Sequence, residues 1–451
     1  MTELPTRNNK LISLAATLAL AACSIHGQSI APPTNADPAL QYLNQTGAGK
    51  IKHVVWIVQE NRSFNDIFMG FPGAKTASTG KTSSGRTIKL QPVSLKITYD
   101  IDHSAGAMFN ACDGQGPLPG TDCKMDMFDK EAFFGGPRHP QYVYVPHNES
   151  KPYWDMAHEF VLADNMFQSQ LDESFVAHQY IIAAQAASAV DIPRAQWGCA
   201  GDPLDTVQTL THTRHLGQLR RACFDYDTLG DELDKAGLEW RFYTSQYTDG
   251  VSGYWSGYQA VKHIFHGPDW KRNIITPQKR FLSDIAAGKL ASFTWITPQC
   301  RDSDHLSCGG GGGPSWVASL VNAVGESKFW DSTAVFVQWD DWGGVYDPAP
   351  PPFLGYDSTG FRVPLIVISA YAKAHFVSHT QYETASMIRF AEDLFGLPRM
   401  TQADRRATSP AADCFDFTQK PRKFVPIKAP LDRDYFLYRE PPDSRIPDSD
   451  F

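Results

Sequence analysis

Four short tracts of this chain gather the side chain types that bind cations and attack electrophiles. Gln59-Glu60-Asn61-Arg62-Ser63-Phe64 offers a carboxylate beside an amide, and Asp302-Ser303-Asp304-His305 offers two carboxylates and an imidazole. Asp340-Asp341-Trp342-Gly343-Gly344 sets two carboxylates side by side, and Asp164-Asn165-Met166-Phe167 leads on to the hydroxyl of Ser174. Oxygen-rich donors of this kind suit a hard or borderline divalent cation. Adjacent carboxylates such as Asp340 and Asp341 repel, so burying them together is costly without a neutralising cation. Other chemistries lack their motif: there is no G-x-S-x-G and no H-E-x-x-H, and Gly80-Lys81-Thr82 has Lys75 where a phosphate loop needs its upstream glycine. A serine-triad esterase remains open but has no motif in its favour.

Each of these tracts follows an apolar run that reads as a strand. Runs at 53–58, 159–163, 238–243, 291–296, 333–339 and 363–368 read as strands, and several are nearly continuous in apolar residues, the pattern of strands covered on both faces of a parallel sheet. Between them, 174–188, 315–324 and 381–395 carry apolar residues at helical spacing, with Ser315 expected as a cap. Alternating strands and helices predict a three-layer α/β/α sandwich around a mostly parallel sheet. Such sheets place ligands beyond the carboxyl ends of their strands, where the four tracts would converge on one rim. The Gly- and Ser-rich stretch 76–127 is expected to be an insertion above that sheet, and the five glycines 309–313 a flexible loop at the pocket mouth.

Composition bounds the rest. The chain has 451 residues, is 42% hydrophobic and carries a formal charge of −8, with no basic excess to grip nucleic acid. Arg7 and Lys10 precede an apolar stretch ending in Leu20-Ala21-Ala22-Cys23, which resembles a bacterial lipoprotein signal. Residues 1–22 are therefore expected to be a signal peptide and 23–48 a tether. Residues 49–451 would form a single domain, exported to the periplasm, held at the outer membrane by lipid on Cys23, or secreted. Cysteine usage agrees with export: Cys112 and Cys123, Cys199 and Cys223, and Cys300 and Cys308 are close in sequence, leaving Cys414 over. Six cysteines allow 15 connectivities, and local pairing is the expected one.

Glu60-Asn61-Arg62-Ser63-Phe64, Ser303-Asp304-His305, the run Trp339 to Asp347 with its following prolines, and Arg362-Val363-Pro364 leading to Ile368-Ser369 occur in order. Together they resemble the bacterial phosphoesterase family that joins phospholipase C with acid phosphatase A, over roughly residues 51–398. The resemblance implies an alkaline-phosphatase-like α/β/α fold, one bound divalent metal ion, a Ser or Thr nucleophile and hydrolysis of phosphate esters. It makes Glu60, Asn61, Asp340 and Asp341 metal ligands, with Ser174 as both ligand and nucleophile, and calcium, magnesium, manganese and zinc all stay open. His305 matches an active-site histidine and His103 a phosphate-contacting one, while His263 and His266 match nothing specific.

The nucleophile departs from the family pattern. Where the family has Gly-Pro-Thr and then Pro-Asn-His or Pro-Asn-Arg, this chain reads Asp172-Glu173-Ser174-Phe175-Val176-Ala177-His178. Phe167 and Ser169 before it and His178 after it keep the register, so Ser174 is expected at a helix start whose dipole favours phosphate, with Ser169 in reserve. Pro348 stands where the family commonly has His. A phosphate-monoester substrate is expected from the acidic balance and from a chain without the large carboxyl-terminal β domains of many family phospholipases. The alternatives are a phospholipase C, with aromatics between 239 and 270 as a lipid-facing rim, and an inactive surface-binding lipoprotein.

Overall fold

The computed structural model describes residues 38–193, 197–201, 203, 205–245 and 255–439. The expected signal peptide, Cys23 and the tether up to residue 37 lie outside the described residues. From Pro38 the expected tether is a helix, Pro38–Thr46, docked through the Tyr42 hydroxyl, which donates to Asp393 O at 2.7 Å. Among the described residues no helix is long and apolar enough to cross a membrane.

Eight strands form the central sheet: β1 (His53–Gln59), β2 (Val161–Ala163), β3 (Trp240–Tyr243), β4 (Ile274–Ile275), β5 (Phe293–Ile296), β6 (Thr333–Trp339), β7 (Leu365–Ser369) and β8 (Phe376–Ser378). Their order is β4-β3-β5-β1-β6-β7-β2-β8. All neighbours are parallel except β7, which runs antiparallel to β6 and β2. Every residue of β6 is buried, Thr333 and Gln338 included, as a nearly continuous apolar run requires of a strand covered on both faces. Helices α1 (His147–Glu159) and α3 (Gly313–Gly325) pack together on one side, and α2 (Ser174–Ala183) and α4 (Ala385–Phe395) pack together on the other. The alternation of β6 shows both layers. Phe336 packs edge-on against Phe390 of α4, whereas Trp339, three residues on, meets Tyr153 of α1.

Several boundaries differ from the sequence expectation for identifiable reasons. The strand expected at 363–368 starts at Leu365, because Pro364 has no N–H to give to the ladder. The helix expected over 174–188 ends at Ala183, where Ala184 turns to a left-handed φ of 51°. Ser315 caps nothing: Gly312 precedes α3, Pro314 occupies its first turn, and the Ser315 hydroxyl accepts from Leu431 N at 3.4 Å. The helix expected over 381–395 starts at Ala385, since Tyr382–Glu383 pairs as a short strand with Met166–Phe167. Within 76–127, Tyr99–Ile101 pairs with Phe133–Gly135 and leads directly into His103.

Candidate active site

β1 delivers Glu60 and Asn61, β6 delivers Asp340 and Asp341, and the N-terminus of α2 delivers Ser174; all five are buried. The Ser174 hydroxyl lies 3.2 Å from Glu60 Oε2, 3.3 Å from Asp341 Oδ2 and 3.4 Å from Asn61 Nδ2. Asn61 Nδ2 is also 3.1 Å from both Asp341 carboxylate oxygens and 3.0 Å from His103 Nε2. The helix cap near Asn61 is Ser63, whose hydroxyl accepts from Asp66 N at 3.2 Å. Asn61 is thus free of capping duty and instead holds a left-handed backbone with φ of 26°. Strain of this kind costs roughly 1–3 kcal/mol and persists where surroundings fix it. Here Asn61 N donates to Asp340 Oδ1 at 3.3 Å, and Gly343 leaves the required room, since a Cβ on it would lie 2.5 Å from Asn61 O.

The structure adds one residue to the expected constellation. His178 lies one turn beyond Ser174 on α2, and its Nε2 is 2.8 Å from Glu60 Oε1 and 3.7 Å from Asp340 Oδ2. Glu60, His178 and Asp340 form a buried group whose ligand atoms all lie within 4.8 Å of one another, a span that fits a metal ion. Buried oxygens without a hydrogen-bond donor support the fit: Asp340 Oδ2 and Asn61 Oδ1. The neighbouring cation, Arg62, is committed elsewhere, to Asp66 Oδ2 at 3.1 Å and Asp304 O at 2.7 Å. The sequence signal for His178 is its spacing of four from Ser174, which sets both on one helix face.

The two expected histidines approach from the opposite side. The rings of His103 and His305 are 6.4 Å apart. His103 Nδ1 lies 2.7 Å from Ile101 O, so in the neutral ring it carries the proton and Nε2 faces Asn61 as an acceptor. His305 Nδ1 accepts from Ser307 N at 3.1 Å, which leaves its ring proton on Nε2. Asp304, beside it, accepts from Tyr153 Oη at 2.8 Å and Trp339 Nε1 at 3.1 Å, and burial raises its pKa to about 7. Asp172 is buried too, and burial together with the charge of Asp191 raises its pKa well above the usual carboxylate range.

Other singled-out residues have different work. Ser169 donates to Glu383 Oε2 at 2.8 Å and accepts from Ala385 N, which ties it to α4. His263 is exposed between Asp225 and Asp231, and His266 is exposed as well. Asp347 and Arg362 form a buried ion pair, with Arg362 Nε 3.0 Å from Asp347 Oδ1, and Asp347 also accepts from Asn65 N. That pair anchors the segment after Asn61. The glycines 309–313 are not an open loop: a Cβ on Gly310 would lie 2.2 Å from Arg301 O, and one on Gly313 would lie 2.1 Å from Asp304 Oδ1. They let α3 close on the His305 loop. The expected disulfides Cys112–Cys123, Cys199–Cys223 and Cys300–Cys308 are formed, and Cys414 is free and buried.

The chain is 23% identical over 451 residues to phospholipase C B of Mycobacterium tuberculosis (strain ATCC 25618 / H37Rv), covering 85% of this chain and 80% of that protein. It is 24% identical over 432 residues to non-specific phospholipase C1 of Arabidopsis thaliana, covering 85% and 74%. Among solved structures it is similar to a protein in the alkaline phosphatase superfamily from Vibrio parahaemolyticus, with a TM-score of 0.37 at 10% identity over 82% of this chain and 71% of that one. The model of the Phosphoesterase family matches residues 51–398; this chain belongs to that family and is a hydrolase of phosphoric esters.

Proposed function

We propose that this hydrolase cleaves phosphate monoesters through a covalent phosphoserine at Ser174, with Glu60, Asn61, His178, Asp340 and Asp341 holding one divalent cation. The observation that carries the reading is the Ser174 hydroxyl, buried at the start of α2 and within 3.4 Å of Glu60, Asp341 and Asn61. When bound, a cation there supplies Lewis-acid stabilisation of phosphoryl charge and lowers the pKa of the serine hydroxyl. An imidazole among the carboxylates favours zinc or manganese over calcium.

Ser174 Oγ attacks phosphorus, its proton passing to Asp341 or Glu60, and the bond from phosphorus to the departing oxygen breaks. The backbone N–H groups opening α2 point their dipole at the incoming phosphoryl group. His305 donates from Nε2 to an equatorial oxygen, and His103, when protonated on both nitrogens, gives the departing oxygen its proton. Attack of water on the phosphoserine then releases phosphate: the water gives a proton back to His103, and the proton held by Asp341 or Glu60 returns to Ser174 Oγ as its bond to phosphorus breaks. The acidic balance of −8 favours a soluble ester over an anionic bilayer surface.

A second reading, release of phosphorylated head groups from phospholipids, is favoured by the relatives named phospholipase C, which align over more than 80% of the chain. One assay decides between them: phosphate release from an aryl phosphate against diglyceride release from phosphatidylcholine vesicles, each with and without chelator. Turnover of the aryl phosphate that is lost on chelation is expected. Diglyceride release alone would transfer the assignment to the second reading.

The sequence features at 1–23 support export with lipid at Cys23. Labelled fatty acid is expected on the wild-type chain and not on Cys23→Ser; an unlabelled wild-type chain would remove the anchor.

A further inference from the structure

We propose that Asp304 is a positioning residue, gripped by the residues that flank the cation ligands so that His305 is held in register with Ser174. The inference rests on the reading of His305 as a phosphoryl-contacting group. Gln59 immediately precedes Glu60, and its side-chain oxygen accepts from both Glu60 N at 3.0 Å and Asp304 N at 3.1 Å. Gln59 Nε2 donates to Asp302 O at 3.0 Å. Arg62 immediately follows Asn61, and its Nε donates to Asp304 O at 2.7 Å. Both backbone polar groups of Asp304 are therefore held by side chains bracketing Glu60 and Asn61. Trp339 immediately precedes Asp340, and its Nε1 donates to Asp304 Oδ2 at 3.1 Å. Tyr153 of α1 donates to the same oxygen at 2.8 Å, and Gly313 lets α3 close against the other one.

The arrangement links two tracts that the sequence separates by more than 240 positions. The Glu60–Asn61 turn, the Asp340–Asp341 turn and the His305 loop leave three adjacent strands, β1, β6 and β5, with β1 in the middle. Strand pairing fixes those strands, but it does not fix the loops beyond their ends. Gln59, Arg62, Trp339 and Asp304 are all fully buried, where hydrogen bonds are strongest and where an unmade one is costly. A shift of about 1 Å in a catalytic group is enough to lose ~10²-fold in rate. The clamp thus couples the cation ligands to the histidine that meets the phosphate.

A double-mutant cycle tests the coupling. Gln59→Leu removes the shared acceptor and Tyr153→Phe removes a single hydroxyl, so the second variant keeps the test alive if the first fails to fold. Each is measured for kcat, KM and bound metal with an aryl phosphate, alone and in a His305→Ala background. In the wild-type background kcat is expected to fall roughly 5- to 50-fold with KM and metal content nearly unchanged. In the His305→Ala background the same substitutions should change kcat less than about twofold, because a clamp on an absent side chain has nothing to position. Equal losses in both backgrounds, with His305→Ala itself impaired, would overturn the positioning role alone. Full turnover in His305→Ala would overturn the proposal together with the reading beneath it.

Discussion

His178 and Ser174 stand one helical turn apart on α2, and both point at the same carboxylate: Ser174 Oγ is 3.2 Å from Glu60 Oε2 and His178 Nε2 is 2.8 Å from Glu60 Oε1. Glu60 therefore bridges the candidate nucleophile and an imidazole on one helix face. Any cation at Glu60 would be felt by both.

If His178 contributes to the cation site, His178→Gln should weaken metal affinity, since an amide still donates to Glu60 but is a poor substitute for an imidazole lone pair. A loss of about 10- to 100-fold in affinity is expected, with turnover falling in parallel. Metal titration followed by elemental analysis checks it. Wild-type affinity and turnover in the variant would confine His178 to a hydrogen bond.

Ser174→Ala removes the oxygen that would form the covalent intermediate, so the loss should fall on kcat by roughly 10²-fold or far more while KM survives. Ser174 opens α2 without serving as its cap, so the melting temperature should change little. Acid quench with a phosphorylated substrate should place phosphate on the peptide containing Ser174. Label on a Ser169 peptide would reverse the assignment.

Glu131 supplies a pH test of stability away from the candidate cation site. Its carboxylate is buried with no hydrogen-bond donor to either oxygen, and burial, with the charges of Asp102 and Asp129, raises its pKa to about 9. The folded state binds a proton there that the unfolded state releases above about pH 4.3, so the group costs stability progressively as pH rises from there toward 9. Glu131→Gln should therefore melt higher than wild type at pH 8, by the equivalent of roughly 1–3 kcal/mol, and nearly level with it at pH 5. A difference independent of pH would show that the carboxyl does not titrate as described.

The disulfides should be visible without activity. Non-reducing peptide maps should give Cys112–Cys123, Cys199–Cys223 and Cys300–Cys308, with Cys414 alkylated only after denaturation. Burial pushes the Cys414 thiol up to about 12, which makes it inert in the native state. Loops this short typically yield about 2–4 kcal/mol each, so reduction should lower the melting temperature. Rapid labelling of Cys414 in native protein would contradict its burial.

Local pattern determined much of this molecule. Nearly continuous apolar runs specify strands that must be covered on both faces, and β6 matches its predicted span at both ends because 333–339 holds no proline or glycine to interrupt the ladder. The same runs placed Glu60, Asn61, Asp340 and Asp341 just beyond strand ends, where an open sheet gathers its chemistry. Tertiary structure decided what those patterns leave undetermined. A hydrophobic run has no sign that makes β7 antiparallel, because its burial is the same in either direction. His178 reads as one more residue of a buried helix until α2 is laid against β1. Register in the sequence ranks Ser174 ahead of Ser169 without saying what Ser169 does instead, and it is the packing of α4 that ties Ser169 to Glu383. Asp347 and Arg362 lie in motifs that carry the family resemblance, and their charges satisfy each other in the interior. Periodicity is a local property of the chain, whereas the partner of a buried polar group is chosen by the long-range packing that removes water from around it.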